Sequence, residues 1–394
     1  MPLSKRHARL GGNFSTAGAI VFRVDGIVRN VTVTGLDASE CVKQLAEQLA
    51  GAELKLVLVF ADWRVDPYGL AKGLQKALTA PVVGCSSLGV VSEVPGTVAA
   101  VGYYGDWLRV GIGVAADLPK SPLARSRDAM ERAAEMLGLK ASALDPAKHV
   151  GIGLADGNCG HEEAFCIGSA AAAPQIRLAG GTASNDHSSS RRSYVWANGE
   201  ALADAGVVLV LESQLPFESV TSSHLVPTEA RAVVTASSGR LVEELDGIPA
   251  AKRLHQLIEK LGGTLDPEYP SQYAFARFVG GKPYVRSMHA VDETGVLLAS
   301  SVELGHVLHV MKPGDLIAET QRDLATAAER VGGVASLLLF SCVSRHWEAK
   351  ANGLDKALAE TYAQYPTIGF QTFGEQTGTL LVNHTLTGLA IGHG

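Results

Sequence analysis

Leu337-Leu338-Leu339-Phe340-Ser341-Cys342-Val343-Ser344-Arg345 opens a stretch that runs through a helical segment to Thr367-Ile368-Gly369-Phe370-Gln371-Thr372-Phe373-Gly374-Glu375 and closes with Asn383-His384-Thr385-Leu386-Thr387-Gly388-Leu389-Ala390-Ile391-Gly392. The apolar run reads as a buried strand, and the segments after the helix read as a second strand and a hairpin. The reactive side chains stand where strands end. A rigid sheet aims polar groups into clefts from such positions.

The unit has an echo near the start of the chain. Leu56-Val57-Leu58-Val59-Phe60 leads through a helical segment to Val82-Val83-Gly84-Cys85-Ser86-Ser87-Leu88-Gly89, followed by apolar runs at 99–104 and 108–114. Gly84 lies 24 positions after Phe60 and Gly369 lies 29 after Phe340, and in both copies a second glycine, Gly89 or Gly374, follows five positions later. A weaker third copy runs from Val150-Gly151-Ile152-Gly153-Leu154 through Asp156-Gly157 and a helix to Leu178-Ala179-Gly180-Gly181-Thr182 and then Tyr194-Val195-Trp196. The spacing predicts divergent duplication of a strand-helix-strand-hairpin unit.

Phe340-Ser341-Cys342 with Arg345, the segment Ile368 to Glu375, and Asn383-His384-Thr385-Leu386 resemble the C-terminal half of the FIST family of sensory ligand-binding proteins. Gly84-Cys85-Ser86-Ser87-Leu88-Gly89, Asp156-Gly157, Gly180-Gly181-Thr182-Ala183 and Asn198-Gly199-Glu200 resemble its N-terminal half, so the likeness extends from about residue 30 onward. The resemblance implies intracellular recognition of a small molecule, with amino acids as the proposed class, and signalling to a partner such as a histidine kinase or a diguanylate cyclase. Some stand-alone members resemble haem-based nitric oxide sensors, which makes haem an alternative cofactor expectation. A homodimer is a further expectation.

The composition sets bounds. A chain of 394 residues is long for one hydrophobic core, and the reading places two related domains at 1–229 and 230–394. With 46% hydrophobic and 19% charged residues and 43 glycines, the chain reads as globular and rich in turns. The net charge of −6, with its basic residues dispersed, argues against nucleic acid or an anionic membrane as partner. Cys41, Cys85, Cys159, Cys166 and Cys342 form no CxxC pair, so reduced thiols in a cytoplasmic protein are expected. No run of about 18 apolar residues is present to span a bilayer.

Taken in order, residues 1–14 read as a loose arm and Asp25-Gly26 as a hairpin turn between strands. Helices are expected at about 39–49, from Pro67 to before Pro81, at 121–137, 162–173, 249–261 and 316–331. The polar run Asn185 to Arg192 reads as a flap. Pro216 and Pro227 mark a break in the pattern over 213–229, where the domain boundary is placed. Strands and helices mixed throughout, many strands joined as hairpins, predict an α+β or mixed α/β fold of mixed sheets covered by helices.

Several residues qualify for chemistry. Arg345 and Glu375 offer a cation for a carboxylate and a carboxylate for an ammonium, as a zwitterion requires, or they pair with each other as a structural ion pair. Ser341, Thr372 and the backbone at Gly369 supply further polar contacts, and Phe370 or Phe373 a wall. Cys342 is either a structural core thiol or, lowered in pKa by Arg345 or His346, the nucleophile of a cysteine-dependent hydrolase or transferase. His224 and His346 are the candidate axial ligands should haem be bound. Asp156-Gly157-Asn158 holds in its unit the place of Ser341-Cys342 and is expected to line a second pocket. The leading expectation is a binder rather than an enzyme, with the haem sensor and the cysteine enzyme as alternatives.

Overall fold

The computed structural model describes residues 20–24, 26–92, 94, 96–186, 192–266 and 272–393. The expected N-terminal arm, Asp25 of the first turn and the centre of the predicted flap lie outside these residues.

Each copy of the repeated unit forms the same pattern. Strand Leu54–Asp62, helix Pro67–Ala77 and strand Val82–Ser87 make the first. Strand His149–Ala155, helix Glu162–Ala172 and strand Arg177–Thr182 make the second. Strand Val334–Cys342, helices Val343–Ala351 and Asp355–Tyr362, and strand Thr367–Thr372 make the third. In every copy the two strands pair in parallel, with Val59 opposite Gly84, Gly153 opposite Gly180 and Leu339 opposite Gly369. The first strand of each then takes an antiparallel neighbour on its other side: Val98–Tyr104, Gly206–Ser213 or Leu386–Gly392.

Superposing the registers explains the glycines that mark the repeat. A Cβ on Gly84, Gly180 or Gly369 would lie 1.7, 2.0 or 1.8 Å from the carbonyl oxygen of its partner Val59, Gly153 or Leu339. Only a residue without a side chain lets the paired backbones approach so closely.

The units are interleaved in a ring. The short strand that follows each parallel pair leaves its own sheet and covers the edge of another. Val90–Ser92 of the first unit pairs with Thr367–Thr372 of the third, Glu375–Thr377 of the third with Arg177–Thr182 of the second, and Val195–Ala197 of the second with Val82–Ser87 of the first. Covering edges this way removes open pairing surfaces. It also corrects two expectations from sequence. Val195–Ala197 belongs to the first unit's sheet, and Leu108–Ala115, expected in the first unit, pairs with Gly206–Ser213 in the second.

A separate seven-stranded sheet, running from Leu225–Ser238 to Val307–Pro313 and backed by helix Ala250–Lys260, is inserted between the second and third units. The segment 213–229, expected to be irregular, instead contains strand Phe217–Ser222 and the start of Leu225–Ser238. Pro227 is accommodated where a register shift follows it. The architecture is mixed α+β, as the pattern of elements predicts.

Helix starts follow the expected chemistry. Asp37 accepts from Glu40 N at 2.9 Å, Asp66 from Tyr68 N at 3.1 Å and Gly69 N at 3.0 Å, and Asp315 from Ala318 N at 2.9 Å. At the centre, Phe60 stacks on Phe370 with centroids 4.8 Å apart and Phe340 meets Phe370 edge-on at 5.6 Å, joining the first and third units.

Candidate functional site

The ends of the three second strands converge. Gln371 N donates to Gly89 O at 2.8 Å, Thr182 N to Gly374 O at 2.8 Å and Ser184 N to Ser86 O at 3.1 Å. The junctions between units lie around this point, and two of them open into cavities.

The first cavity, about 180 Å³, lies between the second and third units under the inserted sheet. Gly157, Asn158, Glu162 and Thr182 come from the second unit, Phe373, Gly374 and Leu381 from the third, and Arg240, His289 and Ala299 from the inserted sheet. The Gly157-Asn158 loop is held by the preceding Asp156, whose Oδ1 accepts from Asn158 N at 2.9 Å and from Ser193 Oγ at 2.5 Å while Oδ2 accepts from Asp204 N at 2.7 Å. Burial nevertheless raises the Asp156 pKa. A Cβ on Gly157 would lie 2.2 Å from Ala183 O, so the loop presses against the neighbouring strand.

Two charges face this cavity. Glu162, 2% exposed, opens its helix, and its carboxylate takes a 2.5 Å hydrogen bond from Arg240 Nη2. Arg240 follows the Gly239 turn of the inserted sheet, and its own carbonyl accepts from Leu298 N at 2.9 Å. Burial pushes the Glu162 carboxyl up despite the guanidinium that opposes the shift. The inserted sheet is tied to the same helix by Ser301 Oγ, which donates to Glu163 at 2.6 Å.

The second cavity, about 190 Å³, lies between the third and first units. It is lined by Val90, Val91, Ser92 and Val94 of the exchanged segment and by His346, Ala349, Leu358, Tyr362 and Gln371 of the third unit, with Asp355 and Ala359 exposed at its mouth.

Of the residues expected from sequence, Gly157, Asn158 and Phe373 line the first cavity and His346 the second, whereas Ser341, Cys342, Arg345, Gly369, Phe370, Thr372 and Glu375 lie beside these cavities rather than in them. Ser341 Oγ and the Tyr362 hydroxyl are 3.1 Å apart, and Thr372 donates to Glu375. Glu375, fully buried, also accepts from Thr385 N at 3.2 Å and Thr385 Oγ1 at 2.6 Å. Burial raises its pKa to about 7. Gly369 is packed on Leu339, and Phe370 sits in the aromatic centre. Arg345, 0% exposed, donates to Thr320 Oγ1 at 2.6 Å and lies 3.4 Å from His224 Nδ1. Arg345 and Glu375 therefore have separate partners and form neither the zwitterion clamp nor the ion pair expected of them.

The displacement has a simple cause. Successive residues of a strand point to opposite faces. On the strand Thr367–Thr372, Gln371 turns to the second cavity whereas Thr372 turns inward to Glu375, and Phe373, just past the strand's end, reaches the first cavity. On the helix, Arg345 is buried while its neighbour His346 reaches the second cavity. Glu162 and Arg240 are 78 positions apart in sequence, and no local pattern pairs them; the one mark of their cavity in the sequence is the likeness of Asp156-Gly157-Asn158 to Ser341-Cys342.

Cys342 is 1% exposed, and burial, with Glu375 against it, pushes its thiol well up. A thiol held protonated is a poor nucleophile, and the reading of Cys342 as an activated one is corrected. The core reading fits.

His224, Glu348 and His384 form a buried cluster. His224 Nε2 is 2.8 Å and His384 Nε2 2.7 Å from the same carboxylate oxygen of Glu348, and His384 takes a left-handed φ of 56° to reach it. Burial works to raise the Glu348 pKa, but the two imidazole donors outweigh it and hold the group at about 2. A metal ligand at His224 Nε2 would need Nδ1 to carry the proton, yet Nδ1 faces the Arg345 guanidinium, itself a donor. The three ligand atoms lie within 4.8 Å of one another, and the contacts run as a hydrogen-bonded relay from Arg345 through His224 to Glu348.

Haem does not fit either candidate. His224 is 1% exposed, bonded to Glu348 and packed edge-on against His384 at 5.4 Å. His346 borders a cavity of about 190 Å³, below the roughly 300–1,000 Å³ typical of sites for drug-sized ligands. Among the described residues no helix is long and apolar enough to cross a membrane.

Fold and cavities define a mixed α+β protein with small-molecule-sized spaces where its halves meet. Residues 55–248 match the FIST N domain and residues 250–377 the FIST C domain. The chain belongs to the FIST family, whose domains are generally small-ligand sensing domains. A stretch of 85 residues is 33% identical to part of an uncharacterised protein of Methanocaldococcus jannaschii, a match covering 22% of this chain and 16% of that protein. Cyanuric acid hydrolase from A. caulinodans is similar over 95% of this chain and 99% of its own, at 11% identity and a TM-score of 0.41. PurL of T. maritima, solved with ADP, is similar over 96% of this chain and 74% of its own, at 12% identity and a TM-score of 0.18. Likenesses this remote decide nothing about chemistry here.

Proposed function

We propose that this protein is a sensor that binds a small zwitterionic metabolite of amino acid size in the cavity lined by Glu162 and Arg240. The observation that carries the reading is this pair, a buried carboxylate and a guanidinium facing one cavity between the halves of the chain. A bound α-carboxylate takes the planar fork of Arg240, and the ammonium takes the Glu162 oxygens that Arg240 gives up. Asn158 and the backbone of Gly157 and Gly374 are within reach for orientation, and Phe373 supplies an apolar wall. The reading does not require turnover.

Because Arg240 rides on the inserted sheet and Glu162 on the second unit, a ligand that separates the pair changes how these two bodies hold each other. Differential contact of that kind is what a ligand needs to shift an equilibrium between states. A partner of the histidine kinase or diguanylate cyclase kind, suggested by the family resemblance, would read the shift.

A thermal-shift screen of the proteinogenic amino acids tests the reading. One class should raise the melting temperature saturably, since occupancy at about 100 times Kd adds roughly 2.7 kcal/mol. No shift with any amino acid at millimolar concentration, or an equal shift in the Arg240→Ala variant, would overturn it.

A further inference from the structure

The ring of units gives the second cavity a meaning of its own. Ser86, Thr182 and Gln371 occupy equivalent register positions, opposite Ala61, Ala155 and Ser341. Thr182 lines the first cavity and Gln371 the second, so the two spaces are counterparts at successive junctions. At the remaining junction, between the first and second units, the Tyr68 and Tyr194 rings meet edge to face at 5.6 Å.

The two cavities differ in chemistry. Where the first offers an acid and a guanidinium, the second is walled by Val90, Val91, Val94, Ala349 and Leu358 around one imidazole, His346, with Ser92, Gln371 and Tyr362, whose hydroxyl already meets Ser341, as further polar members and Asp355 exposed at the mouth. The Nε2 of His346 is buried and has no hydrogen-bond partner among the described residues. Burial, with Arg345 beside it, holds the ring neutral, its pKa pushed down to about 3. A buried polar atom left unpaired is a standing cost that a ligand group can remove. Either tautomer is served by a hydroxyl, which donates and accepts equally well. The volume of about 190 Å³ exceeds the roughly 150 Å³ of an apolar cavity able to take up benzene.

We propose that the cavity between the third and first units is a second ligand site, which takes a small uncharged molecule, largely apolar and bearing one hydroxyl, that hydrogen-bonds His346 Nε2. The site does not depend on the Glu162–Arg240 reading, because it shares no lining residue with that cavity.

Phenol is the probe. Titrating the full chain with phenol and with benzene, followed by ligand-observed NMR, should give saturable binding of both, with phenol tighter by roughly three- to tenfold for its hydrogen bond. His346→Phe should abolish that preference while leaving benzene bound. Ala359→Trp, at the exposed mouth and thus tolerant of the larger ring, should block both probes, and Arg240→Ala should change neither. Absence of saturable phenol binding, a phenol preference that survives His346→Phe, or binding unaffected by Ala359→Trp would overturn the proposal. A loss of phenol binding in Arg240→Ala would place the probe in the first cavity and overturn it equally.

Discussion

His224 and Glu348, 124 positions apart, meet inside the protein with Nε2 2.8 Å from Oε2, and this contact fastens the lead-in to the inserted sheet onto the third unit. His384 Nε2 donates to the same oxygen and Arg345 backs His224, so the carboxylate is the hub of the cluster. Removing the hub strands the Nε2 atoms of two imidazoles in a dry interior. Glu348→Ala should lower stability by about 3–5 kcal/mol in chemical denaturation. A loss below about 1 kcal/mol would show that the cluster is not closed as described.

The cluster should also be indifferent to metals. With Arg345 against Nδ1, His224 presents an N–H rather than a lone pair to Glu348. Prolonged incubation with EDTA should leave the melting temperature unchanged, and added zinc or nickel should not raise it. Saturable stabilisation by either ion, lost in His384→Ala, would contradict the relay.

Glu375 gives the stability a pH dependence. Its folded pKa of about 7 stands above the ordinary carboxyl value of 4.5, so between these two values the folded state holds a proton that the unfolded state has lost. The unfolded chain then binds fewer protons, and stability falls as pH rises through this window, in total by on the order of 3 kcal/mol. Below about pH 4.5 both states are protonated and the effect is absent. Glu375→Gln should flatten that part of the curve in denaturant titrations from pH 4.5 to 7.5; an unchanged slope would contradict the burial of this carboxyl.

The repeat makes a prediction of its own. Gly84→Ala, Gly180→Ala and Gly369→Ala each drive a methyl into a carbonyl oxygen of the paired strand, and each should lower stability by roughly 3 kcal/mol or more. Gly239→Ala, at a φ of +62° with open space around it, should cost only about 1–2 kcal/mol. Similar losses for all four would mean that close approach is not what the glycines serve.

Cys342 should be inert in the folded protein. Iodoacetamide at pH 8, read by peptide mass spectrometry, should label it only after denaturation, because burial and Glu375 keep the thiol protonated. Rapid native labelling would reopen the case for a nucleophile.

Much of the architecture is visible in the sequence because it is written three times. The apolar runs ending at Phe60, Leu154 and Phe340, with Gly84, Gly180 and Gly369 following, are local patterns. The exchange of Val90–Ser92, Val195–Ala197 and Glu375–Thr377 between units is not visible, since a three-residue strand carries no mark of which edge it will cover. The site suffered from the same limit at finer scale. Strand alternation hands the second cavity to Gln371 instead of Thr372, the turn after the strand brings Phe373 to the first, and Arg240 reaches Glu162 only because a whole sheet is inserted between the second and third units.

The most direct test of the sensor reading is isothermal titration of the amino acid selected by the thermal-shift screen, on the unaltered protein and on Arg240→Ala and Glu162→Gln. Loss of a charge-assisted contact of about 1.5–3 kcal/mol should weaken binding at least tenfold in each variant, with phenol binding preserved as proof of folding. Affinity for the amino acid unchanged in both variants would contradict the assignment of the ligand to the cavity between Glu162 and Arg240.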